Sequence, residues 1–179
     1  MSIADIPSLI IVGVAGAGKS SVARQLTALT GMPSNETDDL IEQLAGCDAA
    51  TLVVNRGEAT LQNCANQAAL QTLTMPGIAV IAPTAACHHR VIARIRAARE
   101  EGVPVIELFA DISTLIRRTG LNAPRAVGLG PTRKMLTGMV TQYRKIYGTY
   151  TDESIDTSLA QSRHVAQRIV AYLGQNTVS

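Results

Sequence analysis

Lys19 and Ser20 end the stretch Gly13-Val14-Ala15-Gly16-Ala17-Gly18-Lys19-Ser20, which fits the spacing G-x-x-x-x-G-K-[ST]. Glycines at these places let successive backbone N–H groups converge on one concavity, and a helix beginning at the lysine aims its positive end there. Such a cup suits the β-phosphate of a nucleotide. The Lys19 ammonium reaches the β- and γ-phosphates, and the Ser20 hydroxyl holds Mg²⁺ bridging the same oxygens. A second chemical group follows in Glu36-Thr37-Asp38-Asp39, where Glu36 offers a metal-side carboxylate and Asp38 one that can orient a hydroxyl. Both could instead cap a helix beginning near Leu40.

The elements that must position these groups are legible on either side. Leu9-Ile10-Ile11-Val12 is a continuous apolar run, the mark of a strand buried on both faces, and Val22, Leu26 and Leu29 follow at helical spacing. Gly31 and Pro33 stop that helix. A helix is expected over Leu40–Ala45, closed by Gly46, a second over Ala49–Val54 and a third over Glu58–Leu73. Strands are expected over Gly77–Ala82 and Val103–Phe109, where Pro104 sits near the start and is tolerated. Between them His88–Glu101 forms a basic helix carrying Arg90, Arg94, Arg96 and Arg99, read as a solvated face. Short and long helices are expected at Ile112–Arg118, Met135–Tyr147 and Leu159–Leu173, with a short strand within Tyr150–Asp156. The Gly-, Pro- and Arg-rich stretch 119–133 has no period, and a loop of that length reads as a lid.

Strands alternating with helices imply an α/β fold, a parallel sheet between helical layers, with ligands bound beyond the carboxyl ends of the strands. The glycine loop, the acids after Asn35 and the Pro83 turn all fall at such ends. The 179 residues suggest one domain, and a net charge of +2 is too small to imply a polyanionic partner. No aromatic platform accompanies the arginines, so no nucleic-acid partner is expected. No apolar run reaches the eighteen or so residues of a membrane span. Cys47, Cys64 and Cys87 are odd in number and lack C-x-x-C spacing, which argues against a disulfide framework or zinc site and for the cytoplasm.

The order of motifs resembles that of the shikimate kinases, small P-loop kinases of the nucleoside-monophosphate-kinase type. Four stretches carry the resemblance: the glycine loop; Glu36-Thr37-Asp38 with the helix ending at Gly46, where the family reads Asp-Thr-Asp; Arg117 to Arg125, matching the lid arginines; and Tyr143-Arg144-Lys145-Ile146-Tyr147 followed by Ile155-Asp156-Thr157. The resemblance implies a three-layer P-loop NTPase fold, and an ATP- and Mg²⁺-dependent kinase acting on shikimate or a related hydroxylated metabolite in aromatic amino acid biosynthesis. It implies a nucleotide site of Gly16, Ala17, Gly18, Lys19, Ser20, Ser21, Arg118 and Arg125, with Ser20 and Glu36 on the metal. It gives Lys19, Asp38 and Arg125 the catalytic roles. It places Asp38, Gln62, Thr84, Ala85 and Arg144 on a small-molecule acceptor, in a protein expected to be a monomer.

The acceptor half departs from the family. Gln62 stands where the family has a carboxylate-binding arginine, and Ala65 where that arginine's glutamate partner stands. Pro83-Thr84-Ala85 replaces a Gly-Gly-Gly turn, and Pro has no N–H to offer. A second carboxylate-binding arginine of the family falls near Tyr143, and a one-residue shift would put the adjacent Arg144 in its place. The phosphate half is kept, so the alternatives are a kinase with an altered acceptor and a paralogue that binds nucleotide without turnover.

Overall fold

The computed structural model describes residues 7–120 and 133–176. Five strands, β1 (Leu9–Val12), β2 (Ser34–Glu36), β3 (Ile78–Val80), β4 (Val105–Phe109) and β5 (Glu153–Asp156), form one sheet in the order β2-β3-β1-β4-β5. Every pairing is parallel. Eight helices flank it among the described residues: α1 (Lys19–Thr30), α2 (Thr37–Ala45), α3 (Ala49–Arg56), α4 (Glu58–Thr72), α5 (His89–Glu100), α6 (Ile112–Thr119), α7 (Arg133–Tyr147) and α8 (Ser162–Asn176). Helix α1 packs on α8, while α4 packs on α2, α3 and α5. All four residues of β1 are fully buried, as an unbroken aliphatic run at the centre of a parallel sheet must be.

The expected strands and helices are present, with ends shifted by a few residues. One element differs in kind. Ser34–Glu36 is an edge strand, and α2 begins at Thr37 rather than near Leu40. Asn and Glu disfavour strands, but pairing with β3 at Ser34↔Ile78 and Glu36↔Val80 overrides that preference. Asn35 Nδ2 adds a bond to the Pro76 carbonyl (2.8 Å). The register puts Glu36 at the carboxyl edge of the sheet, and Thr37 Oγ1 donates to the Val80 carbonyl (3.0 Å) to hold the turn into α2.

Three of the four arginines of α5 tie it to neighbouring elements. Arg96 donates to Thr149 Oγ1 (3.1 Å) and Arg94 to the Leu73 carbonyl (3.4 Å). Arg99 pairs with Asp152 (2.5 Å), whose other oxygen accepts the Val105 N–H (2.8 Å). Two of the four tyrosines serve one junction. Tyr147 and Tyr150 are fully buried, and their hydroxyls donate to the carbonyls of Pro83 (2.9 Å) and Ala86 (2.8 Å), tying α7 and the segment after it to the turn that follows β3. Burial raises both phenols far above their usual pKa, so they stay protonated donors.

Glu107 in β4 is the one buried carboxylate among the described residues, at 2% exposure. It accepts from Arg144 Nε (2.9 Å) and Ser154 Oγ (2.7 Å), and the Arg144 guanidinium lies 3.8 Å over the Phe109 ring. Arg144→Ala leaves that carboxylate with one partner. Chemical denaturation should show a loss of about 2–4 kcal/mol, and Glu107→Gln in the same background should recover part of it by removing the stranded charge.

Candidate functional site

The loop between β1 and α1 begins with a contact that only glycine permits. A Cβ on Gly13 would sit 2.2 Å from the Leu108 carbonyl oxygen of the neighbouring strand. At its far end Gly18 adopts φ 90°, the left-handed region that favours glycine, and its carbonyl accepts the first bond of α1 from Val22 N–H (3.0 Å). Between these points the backbone folds into a cup at the positive end of a twelve-residue helix.

Lys19 lies across the cup, its Nζ donating to the carbonyls of Gly13 (2.9 Å) and Val14 (3.3 Å). Desolvation lowers its pKa from 10.5 to about 8, against the opposing pull of Asp38 and Glu36, so both carboxylates act on this amine. Ser20 Oγ donates to Glu36 Oε2 at 2.5 Å. Glu36 occupies the N-cap position of α2 but makes no side-chain cap there; its carboxylate is turned to Ser20 instead. A hydroxyl and a carboxylate side by side are hard oxygen donors of the kind Mg²⁺ takes, with its remaining positions left for phosphate oxygens and water. No cluster of three or more His, Cys, Asp or Glu residues able to hold a metal occurs among the described residues.

Lys19, Ser20 and Asp38 line one cleft of ≈ 610 Å³ at the carboxyl edge of the sheet, and Glu36 joins it through Ser20. Its floor is the loop, from Ala15 to Ser21. One wall is Asp38 with Val80–Pro83; the other is Arg118, Thr157, Ala160, Ser162 and Val165. Arg118 is tethered there, with Nη1 on the Gly16 carbonyl (3.2 Å) and Thr157 Oγ1 (3.1 Å), and Nη2 on the Thr157 carbonyl (2.7 Å). Thr157 Oγ1 also lies 2.9 Å from the Ala17 carbonyl and 3.0 Å from that of Phe109. Sequence reasoning gave Thr157 no role; its position one residue past β5, at the ligand-bearing edge, was the available signal.

The structure thus brings together Gly16, Ala17, Gly18, Lys19, Ser20, Ser21, Glu36, Asp38 and Arg118. It does not place four of the expected acceptor residues on the cleft. Gln62 Nε2 donates to the buried Asn66 Oδ1 (2.9 Å) within α4. Thr84 is exposed, Ala85 is fully buried, and neither lines the cleft, though Pro83 beside them does. Arg144 faces a separate pocket with Phe109, Asp111 and Asp156, held there by Glu107. Arg125 and most of the expected lid lie outside the described residues.

A parallel sheet with a glycine cup at the end of its central strand, a lysine across the cup and a hydroxyl–carboxylate pair beside it define a P-loop phosphotransferase. The sequence profile described as "Shikimate kinase" matches residues 15–174. The chain belongs to the shikimate kinase family, and so to the kinases that phosphorylate an alcohol group. It is 28% identical to the shikimate kinase of Salinispora tropica over 170 residues, covering 93% of this chain and 98% of that one. It is 29% identical to that of Thioalkalivibrio sulfidiphilus over 171 residues, covering 94% and 88%. The fold matches the shikimate kinase of Acinetobacter baumannii, solved in complex with shikimate, with a TM-score of 0.81 over 97% of this chain and 96% of that one at 20% identity.

The lowered pKa of Lys19 gives a pH signature. Between about 8 and 10.5 the unfolded chain binds the lysine proton and the nucleotide-free fold does not, so stability from this group rises with pH across that window. Lys19→Met abolishes the dependence. The stability of the unsubstituted protein relative to this variant should therefore increase from pH 8 to pH 10.5 by denaturant titration, while its affinity for nucleotide falls as pH passes 8.

Proposed function

We propose that this protein transfers the γ-phosphoryl group of ATP in line to a hydroxyl of a small hydroxylated acceptor, of which shikimate is the one named for its relatives. The observation that carries the reading is the convergence of Lys19, the Ser20–Glu36 pair and Asp38 on one cleft. Nucleotide phosphates would occupy the cup, drawing the Lys19 amine off its own loop carbonyls and onto phosphate oxygens. Ser20 and Glu36 would hold Mg²⁺, which when bound neutralises charge on the β- and γ-phosphates. Arg118 flanks the nucleotide side of the cleft, and Arg125 is proposed to close over the phosphates. Asp38 stands across from the loop, on the wall formed by the ends of β2 and β3, where a carboxylate can orient an acceptor hydroxyl and take up its proton.

No helix among the described residues is long and apolar enough to cross a membrane, and all three cysteines are free thiols. We place the enzyme in the cytoplasm, acting as a monomer on small molecules, without nucleic-acid or membrane partners.

ADP release measured against a panel of hydroxy acids and polyols tests the reading. Turnover should depend on an acceptor and fall about 10²–10³-fold in Lys19→Met, with a comparable loss in Asp38→Asn. Binding of Mg·ATP without acceptor-dependent ADP release would instead identify a nucleotide-binding protein. Glu36→Gln should raise the Mg²⁺ concentration for half-maximal turnover by about 10–100-fold, as expected when the group orienting a metal-bound hydroxyl loses its charge.

A further inference from the structure

The three hydrogen bonds that tether Arg118 all end on uncharged oxygens. Nη1 donates to the Gly16 carbonyl (3.2 Å) and to Thr157 Oγ1 (3.1 Å), and Nη2 to the Thr157 carbonyl (2.7 Å). The tether fixes the direction of the guanidinium and leaves its charge unneutralised, available to an anion in the cleft that this exposed side chain lines. Two of the three bonds end on one residue, Thr157, and one of those depends on its side chain. That hydroxyl has a single proton and two carbonyls within reach, Ala17 at 2.9 Å and Phe109 at 3.0 Å. The Phe109 carbonyl already accepts the Thr157 N–H (2.8 Å), so the proton is best given to Ala17 in the glycine loop. A proton held there stops the hydroxyl from rotating and leaves a lone pair for Arg118 Nη1. The loop orients the hydroxyl, and the hydroxyl orients the arginine.

The backbone at this point does not depend on the hydroxyl. The Thr157 N–H stays on Phe109, and the next residue, Ser158, accepts at Oγ the N–H of Asp111, the N-cap of α6 (2.8 Å). Arg118 keeps its bond to the Thr157 carbonyl as well. Exchanging the hydroxyl for a methyl therefore removes one direction-setting contact and keeps the shape of a side chain that is 3% exposed. We propose that Thr157 is a positioning residue for nucleotide binding: its hydroxyl holds Arg118 against the glycine loop, and it acts on bound phosphate through that arginine. The inference rests on the kinase reading above, in which Arg118 flanks the nucleotide.

Calorimetric titration of the full chain with Mg·ATP, with no acceptor present, separates this contact from phosphoryl transfer. Thr157→Val should weaken binding by about tenfold, the scale of one hydrogen bond to a charged group. Thr157→Ser keeps the hydroxyl and should stay within about threefold of the unsubstituted protein. Arg118→Ala should lose at least as much as Thr157→Val, and adding Thr157→Val to Arg118→Ala should cost less than about twofold more. A merely structural role would cost the same factor with or without Arg118. Equal losses in the two backgrounds, unchanged affinity in Thr157→Val, or a Thr157→Ser variant as weak as Thr157→Val each overturn the proposal and leave the kinase reading standing. Should Thr157→Val fail to fold, Thr157→Cys, whose thiol is a weak acceptor, carries the same expectations. The expected pattern without acceptor-dependent ADP release upholds the role of Thr157 and removes the kinase reading; no binding of Mg·ATP by the unsubstituted protein removes both.

Discussion

The cleft depends on one hydrogen-bonded junction centred on Thr157. Its hydroxyl touches the Ala17 carbonyl of the glycine loop and the Phe109 carbonyl at the end of β4, and it accepts from Arg118 of α6. Four separate chain segments therefore meet at one 3%-exposed side chain. A loop of small residues has little side-chain packing of its own to fix it, so its shape must be imposed from outside. Strand β4 does this on one side, through the Gly13–Leu108 approach, and Thr157 does it on the other. A cup so held needs little reorganisation when phosphate enters, which is the condition under which backbone dipoles act strongly on developing charge.

The parallel sheet carries the same logic to longer range. Because all five strands run one way, their carboxyl ends share an edge, and residues far apart in sequence arrive there together: Ser20 with Glu36, Ala17 with Thr157. The arginines of α5 serve this arrangement, since the Arg99–Asp152–Val105 contacts fix the start of β5 against β4. Arg94 and Arg96 join α5 to the Leu73 carbonyl and to Thr149 in the same way.

The phosphate half of the site was legible in the sequence because its chemistry is local. Eight consecutive residues form the cup, and the flanking apolar run and helical spacing set its orientation. Glu36 and Asp38 were legible as carboxylates at a strand end, although β2 was not, because Ser-Asn-Glu has no strand signal until β3 pairs with it. The acceptor half was poorly legible because it depends on which way side chains at helical positions turn. Arg144 reads in the sequence as an arginine for the acceptor, and its contact with Glu107, thirty-seven residues away, is invisible there. Gln62 reads as a site residue, but its amide is satisfied by Asn66 one turn along. Such tertiary pairings leave no mark in the spacing of a single chain.

The two phenols that reach back from the end of α7 and the segment after it to the turn beyond β3 have a consequence for how this enzyme can change. Pro83 belongs at once to the wall of the cleft and to a contact with Tyr147, while Tyr150 fixes Ala86 three residues on. The acceptors are backbone carbonyls, so side chains of the turn can be exchanged without orphaning either hydroxyl, whereas losing the tyrosines would free the wall to drift. Selection on acceptor choice can therefore vary the side chains of the turn while the two phenols hold its path, so the molecules this scaffold can explore are those that fit a wall of fixed backbone course.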